Sequence, residues 1–586
     1  MKPLFSLLAA FFVLALTSCS ALQPHDGPKP VVQISSLQTG TIETYPAVMP
    51  LSDGQNALLY DNKEGRVTFQ IGEHKILLDE KAPVQGGNWF QLHEHKGRIY
   101  ASWWSHQNAK NLYITSSVDG GKTFGPVAIV NDNHGVLPPY TLSFGADGVV
   151  MATYSDERTP KYEVYFNRST DNGLTWQRPD VRLDEMPAGA DLSFAVEPRT
   201  LQIGKELFAF WDDSNTIMSG YAVHRVLMRT TRDEGKTWST VHELYRSSNQ
   251  ISSLQTLAVG NKIILAFDDY HHGIKSLVSP DAGKTWLPAS TLEGTETTTN
   301  SGITLATDGQ FVYAAWNSQQ QGRKTQIDVG RVDLTKGDWI GTAQRVDVKA
   351  FNNTDSGLPT IAAFQNGPVV VAWVDFRDIR PNIYVSMSVD HGAAWSKPEA
   401  ISAPGKKNLG LPKLYNTGNG MALSMDSFPS DRQLEGEFTV VNLDLTANSK
   451  ALPIYVQVKP YSEEQKQKML DERVNELWKL RMESKYAKTY GFFDFAYRAF
   501  MPKKDFVEKS GNINYYKYEI LKTKIDGNVA EVEQKVTYDS KPIMLPNGKT
   551  VDVKKTTVGV KTTWVWVGDN WYLVYAPAFG KPILNY

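Results

Sequence analysis

"SVDGGKTF" (residues 117–124) reads by itself as a glycine turn after a strand. Nearly the same phrase returns as "STDNGLTW" (169–176), "TRDEGKTW" (231–238), "SPDAGKTW" (279–286) and "SVDHGAAW" (388–395). An Asp, a Gly two residues on and a final aromatic keep their places, usually with a Thr before the aromatic. The Asp residues are Asp119, Asp171, Asp233, Asp281 and Asp390, at intervals of 52, 62, 48 and 109. The last interval is about twice the others, and "VDLTKGDW" (332–339) falls inside it as a degenerate sixth copy. A phrase used this often belongs to the architecture, not to a single site.

The surroundings repeat too. Each phrase follows a β-branched run ending in an aromatic ("RIYASWW", "LFAFW", "VVVAW"), a polar loop and an alternating run such as "NIYVSMS". Period-2 alternation between Gly, Asp and Asn turns predicts about four antiparallel strands per unit. Four-stranded units of about 50 residues, repeated, predict a β-propeller. The phrase resembles the Asp-box of the sialidase (BNR-repeat) family, a structural hairpin lying away from the active face. The resemblance covers residues 42–450. It implies a mainly β, Asp-box propeller, with seven or eight blades by repeat count and six not excluded.

The loop after the second strand of each unit lies opposite the Asp-box turn. Its polar residues include Asp156, Asp212, Asp213, Asp268, Asp269 and Asp375, with Arg158, Arg377 and Arg380 close by and Trp104, Trp211 and Trp373 beside them. Acids and arginines around a propeller mouth suit hydroxylated or anionic ligands, and the Trp rings could stack on sugars. A turn cap for each Asp and inter-blade packing for each Trp are the structural alternatives. The sialidase resemblance implies three arginines clamping a carboxylate. Here no R-I-P phrase precedes the first box, and "VEPRTL" (196–201), with Glu197, has no Arg on the strand that follows. The carry-over of the catalytic set fails at the first two arginines. "DDYHHG" (268–273) places adjacent His residues that point apart, so no metal is expected, and no cofactor motif occurs.

The chain starts with one Lys, an apolar run and Leu16-Thr17-Ser18-Cys19, the pattern of an export signal. "LTSC" resembles the lipobox of bacterial lipoproteins, which implies lipidation of Cys19, the sole Cys among 586 residues. Ser20 after it implies, by the same resemblance, the outer membrane. Residues 20–41 read as a tether. With 61 basic against 63 acidic residues and no long basic run, nucleic acid is not an expected partner.

Composition shifts after a linker at 451–461. Ser462 and Gln465 form a capping box, and Leu470, Val474, Leu477 and Trp478 follow helical spacing. An aromatic-rich stretch and four strands ending in "GDNWYLV" come next. This order over 462–586 resembles the NTF2-like α+β cone, a fold that hosts enzymes and binding modules alike. The expected function is a membrane-anchored lipoprotein whose propeller binds a glycan or protein without sialidase catalysis; the alternative is an exo-acting glycoside hydrolase of sialidase type.

Overall fold

The computed structural model describes residues 37–39, 46–51, 55–62, 64–80, 82, 85–106, 110–132, 135–158, 161–185, 190–217, 222–348, 354–401, 407–416, 420–429, 436–443, 445–450, 461–494, 497–498, 501–544, 550–551 and 554–574. The export signal, Cys19 and most of the tether lie outside them.

Among the described residues up to 443, eight four-stranded antiparallel sheets follow one another. Their innermost strands include Ala47–Pro50, Asn88–His95, Val136–Phe144, Ala190–Ile203, Ile251–Val259, Thr298–Thr307, Ser356–Ala363 and Lys407–Asn416. Consecutive sheets share separate hydrophobic clusters. Phe69 and Trp103 join the first to the second, and Val385 and Leu423 join the seventh to the eighth. A further cluster of Val48, Leu58, Tyr60, Ala422, Phe438 and Val440 joins the eighth back to the first. The sheets therefore form a closed ring, a β-propeller. Closure uses the N-terminal strand Leu37–Thr39, which pairs with Gly436–Leu443 as the outer strand of the eighth sheet. The sequence assigns those three residues to the tether; in the fold they belong to the propeller.

The box is a fastener between sheets. In the copy at 169–176, Asp171 accepts from the Thr175 N–H (2.9 Å), the Thr175 hydroxyl (2.6 Å) and the Ser169 hydroxyl (2.7 Å). The Gly173 N–H donates to Ser169 Oγ at 2.9 Å. The same bonds recur around Asp119, Asp233 and Asp281. Asp390 keeps the backbone bond, to the Ala394 N–H, but has no Thr there to donate a hydroxyl. Each box leans on the preceding sheet. Gly235 sits at φ +82°, and a Cβ there would lie 2.1 Å from the Phe166 ring. Its Trp238 meets the same ring edge-on at 4.9 Å. Only glycine satisfies both the left-handed backbone and the close approach. Asp333, in the degenerate copy, bonds instead to the Thr335 and Lys336 N–H groups.

After the ring comes the helix Glu463–Met482, opened by the expected capping box: the Ser462 hydroxyl accepts from the Gln465 N–H (3.1 Å) and Gln465 Oε1 from the Ser462 N–H (2.8 Å). Leu470, Val474, Leu477 and Trp478 bury its inner face. They pack on a four-stranded antiparallel sheet of Ile513–Asp526, Val529–Ser540, Thr556–Val567 and Asn570–Leu573. This helix-on-sheet unit meets the ring at the loop after the second strand of the seventh sheet. Ile379 enters a cluster with Val565, Val567 and Val574, and Asn528 Nδ2 donates to the Arg377 carbonyl at 2.7 Å.

Candidate functional site

The second strand of each sheet is covered on both faces by neighbours. Val150–Asp156 and Val369–Asp375 are buried along their whole length. Alternation along such a strand sends one side chain toward each neighbouring sheet, so its terminal polar residues also turn inward.

Arg158 shows the consequence. Its backbone N–H and Nη2 bond the fully buried Asp156 at 2.7 and 2.9 Å, Nη2 reaches Asp180 at 2.8 Å and Nη1 reaches Asp132 at 2.9 Å. The guanidinium lies 3.8 Å above the Tyr165 ring. The seventh sheet repeats the device. Arg377 bonds Asp375 through its N–H and Nη2, both at 2.8 Å, and covers Tyr384 at 4.2 Å. Asp375 also accepts from Trp373 Nε1 at 2.9 Å and Ser356 Oγ at 3.1 Å. "D-x-R" is thus a second structural motif, in which the Arg folds back on its own sheet.

The remaining predicted residues divide. Arg380 is buried in an ion pair with Asp494 of the C-terminal unit (2.5 Å) and is not a ligand clamp. Arg158, Arg377 and Arg380 therefore do not converge. Asp213 holds Arg225 Nε at 3.0 Å, and Asp269 accepts from the Tyr245 (2.7 Å) and Ser247 (2.8 Å) hydroxyls. Asp268 accepts from Asn300 at 3.1 Å, and burial pushes its carboxyl up to about 6. Trp211 and Trp373 have no exposed surface and pack against the preceding sheet, so the expectation that they stack on sugars is corrected. Trp104 is half-buried, with its N–H bonded to the Val136 carbonyl at 2.7 Å.

The mouth itself is built by a feature that the sequence marks only in part, by a Pro at some of its positions. Six innermost strands carry the same irregularity, two residues opposing one on the neighbouring strand: at Trp89-Phe90, Glu197-Pro198, Ser253-Leu254, Gly302-Ile303, Leu358-Pro359 and Leu411-Pro412. In all six the first residue has a left-handed backbone, φ +49° to +64°. Such bulges re-aim side chains, and non-glycine residues at positive φ cluster at functional sites. Trp89 and Leu358 are 44% and 47% exposed there. Pro138-Pro139 occupies the corresponding bulge of the third sheet.

Glu197 brings chemistry to this level. Arg199 Nη1 donates to the Glu197 carbonyl at 3.2 Å, and Nη2 lies 3.4 Å from its carboxylate. Asp212 is buried beside them. Desolvation first, then the charges of Glu197 and Asp213, push its carboxyl well above the usual carboxylate range, while Arg199 pulls it back. This level therefore holds a half-exposed carboxylate and a cation, an acceptor and a donor for hydroxyl groups, with a buried carboxyl whose charged form is disfavoured behind them. Among the described residues no three His, Cys, Asp or Glu side chains are grouped to hold a metal ion.

No curated protein matches the chain. Among solved structures it is similar to an ulvan lyase of polysaccharide lyase family PL25 (11% identity, 60% of this chain and 91% of that chain, TM-score 0.41). It is also similar to the NanB sialidase of Streptococcus pneumoniae (10%, 66% and 90%, 0.32) and an α-L-arabinofuranosidase of Fusarium graminearum (14%, 70% and 98%, 0.36). Residues 100–329, which hold four of the five well-formed boxes, match the family model of the BNR repeat-like domain.

Proposed function

We propose that the chain is a bacterial envelope lipoprotein, anchored to the outer membrane through Cys19, whose eight-bladed propeller binds a glycan at the mouth of its ring. The C-terminal unit is read as an NTF2-like domain that docks beside that mouth. The observation that carries the binding reading is the level of left-handed bulges. It sets Trp89 and Leu358, both open to solvent, at the same height as Glu197, with the Asp212 acid behind. An apolar ring face and paired hydroxyl-bonding groups are what a sugar presents a need for. A glycan array with residues 20–586 tests this. Retention of a glycan, weakened by Trp89→Ala without loss of melting temperature, supports it; binding that is indifferent to Trp89→Ala and Glu197→Gln sinks it.

A second reading, an exo-acting glycoside hydrolase, draws on the Asp212 and Glu197 carboxyls, whose environments differ as those of an acid and its partner do. The separation of Arg158 from Arg377 and Arg380 weighs against its sialidase form. A panel of fluorogenic glycosides that includes a sialoside distinguishes the two readings by turnover.

A further inference from the structure

The residue that follows each of the six left-handed bulges occupies one further level, a step inward from the mouth; the third sheet has the buried Tyr140 there. Strand pairing puts Gln91 opposite Ser102, Arg199 opposite Phe210, Gln255 opposite Ala266, Thr304 opposite Ala315, Thr360 opposite Ala372 and Lys413 opposite Ser424. All six belt residues are polar, although innermost strands elsewhere carry Leu, Ile and Ala. Two are cations. Arg199 has the Glu197 carboxylate at 3.4 Å. Lys413 has no carboxylate within 4.0 Å among the described residues; its ammonium lies 5.4 Å from the Tyr415 ring.

Lys413 is open to solvent, yet desolvation alone lowers its pKa from the usual lysine value. Both hold together for a side chain that water reaches while protein atoms surround it on most sides. Desolvated charges in folded proteins are normally paired, because a lone one forfeits hydration without a partner. The neighbouring polar group cannot supply that partner. His93, half-buried, has Nε2 3.1 Å from Gln91 Oε1, and burial together with the Lys413 charge pushes it down to about 4. At neutral pH it is uncharged and leaves the Lys413 cation uncompensated.

We propose that Lys413 anchors an anionic group, a carboxylate or a sulfate, on a ligand that enters the ring through its mouth. The inference rests on the glycan reading for the body of the ligand, which then becomes an acidic saccharide, but not for its anionic group. The full chain in nonionic detergent is titrated calorimetrically with tetragalacturonate, maltotetraose and inorganic sulfate. Tetragalacturonate should bind the wild type and weaken about 10- to 100-fold in Lys413→Met, the range of a lost hydrogen bond to a charged group. Lys413→Arg should recover most of the affinity, and all three proteins should melt alike. Sulfate binding that disappears in Lys413→Met while no oligosaccharide binds upholds the anion site and sinks the glycan reading. Oligosaccharide binding of equal strength in wild type and Lys413→Met overturns the inference and leaves the glycan reading intact. Failure of both acidic probes to bind the wild type overturns it as well.

Discussion

Replacing Arg380 by Met separates a ligand-clamp role from the structural one found here. The Arg380 and Asp494 side chains are 5% and 4% exposed and pair at 2.5 Å across the boundary between ring and C-terminal unit. Removing one partner of a buried pair weakens the charge compensation of the other, which costs up to about 3–5 kcal/mol. Met keeps most of the side-chain volume, so the loss is electrostatic rather than a cavity. The pair sits beside the Ile379 contact with Val565, Val567 and Val574, so the energy falls on docking more than on either fold. Differential scanning calorimetry should show the melting of the C-terminal unit move down and away from that of the ring. Asp494→Asn should do the same, and the double variant should lose less than the two single losses added, with a coupling of about 0.5–3 kcal/mol. A wild-type melting profile for Arg380→Met, accompanied by weakened binding of an anionic ligand, would refute the structural assignment and restore the clamp.

Three other outcomes are expected. Trp176→Ala removes a side chain only 8% exposed and should cost about 3–5 kcal/mol, against about 1 kcal/mol for Asp171→Ala, whose bonds lie at the surface; urea unfolding reads both, and neither should alter ligand affinity per folded molecule. Asp212→Asn should leave the urea midpoint at neutral pH nearly unchanged, because burial already disfavours the charged form of the carboxyl it replaces, whereas Asp213→Asn should lower it by loosening Arg225. Burial raises Asp61 and Asp426 to about 7, with Asp79 adding to the push on Asp61. Groups with a raised folded pKa lose stability as pH rises from their unfolded value near 4 toward 7. Asp233 is held down to about 2 by Thr237 and Thr231, so its smaller, solvent-screened contribution is present above about pH 4 and lost as pH falls through 2. Melting temperature should therefore peak between about pH 4 and 5; a steady rise from pH 5 to pH 8 contradicts this assignment.

The sequence by itself determined whatever is local and repeated. "STDNGLTW" holds every donor and acceptor of its own turn within eight residues, so its bonds needed no partner from elsewhere in the chain. The capping box of Ser462 and Gln465 was legible for the same reason. The ring of acids after the second strands was also visible as a pattern, but not the direction in which each acid faces. Asp156 and Asp375 are answered by an Arg two residues on, yet Asp180, Asp132 and Asp347 complete those networks from other strands and other sheets. Arg380 gave no sign of Asp494, 114 residues away. Trp89 and Lys413 were not legible because a bulge is a mismatch between two strands, and the Pro that follows the first residue at 197, 358 and 411 is absent at 89, 253 and 302. Only the pairing of six innermost strands with their neighbours put Trp89, Glu197 and Leu358 on one level and Lys413 on the next. Periodicity reports which side chains are buried; closing the ring decides which ones share an opening.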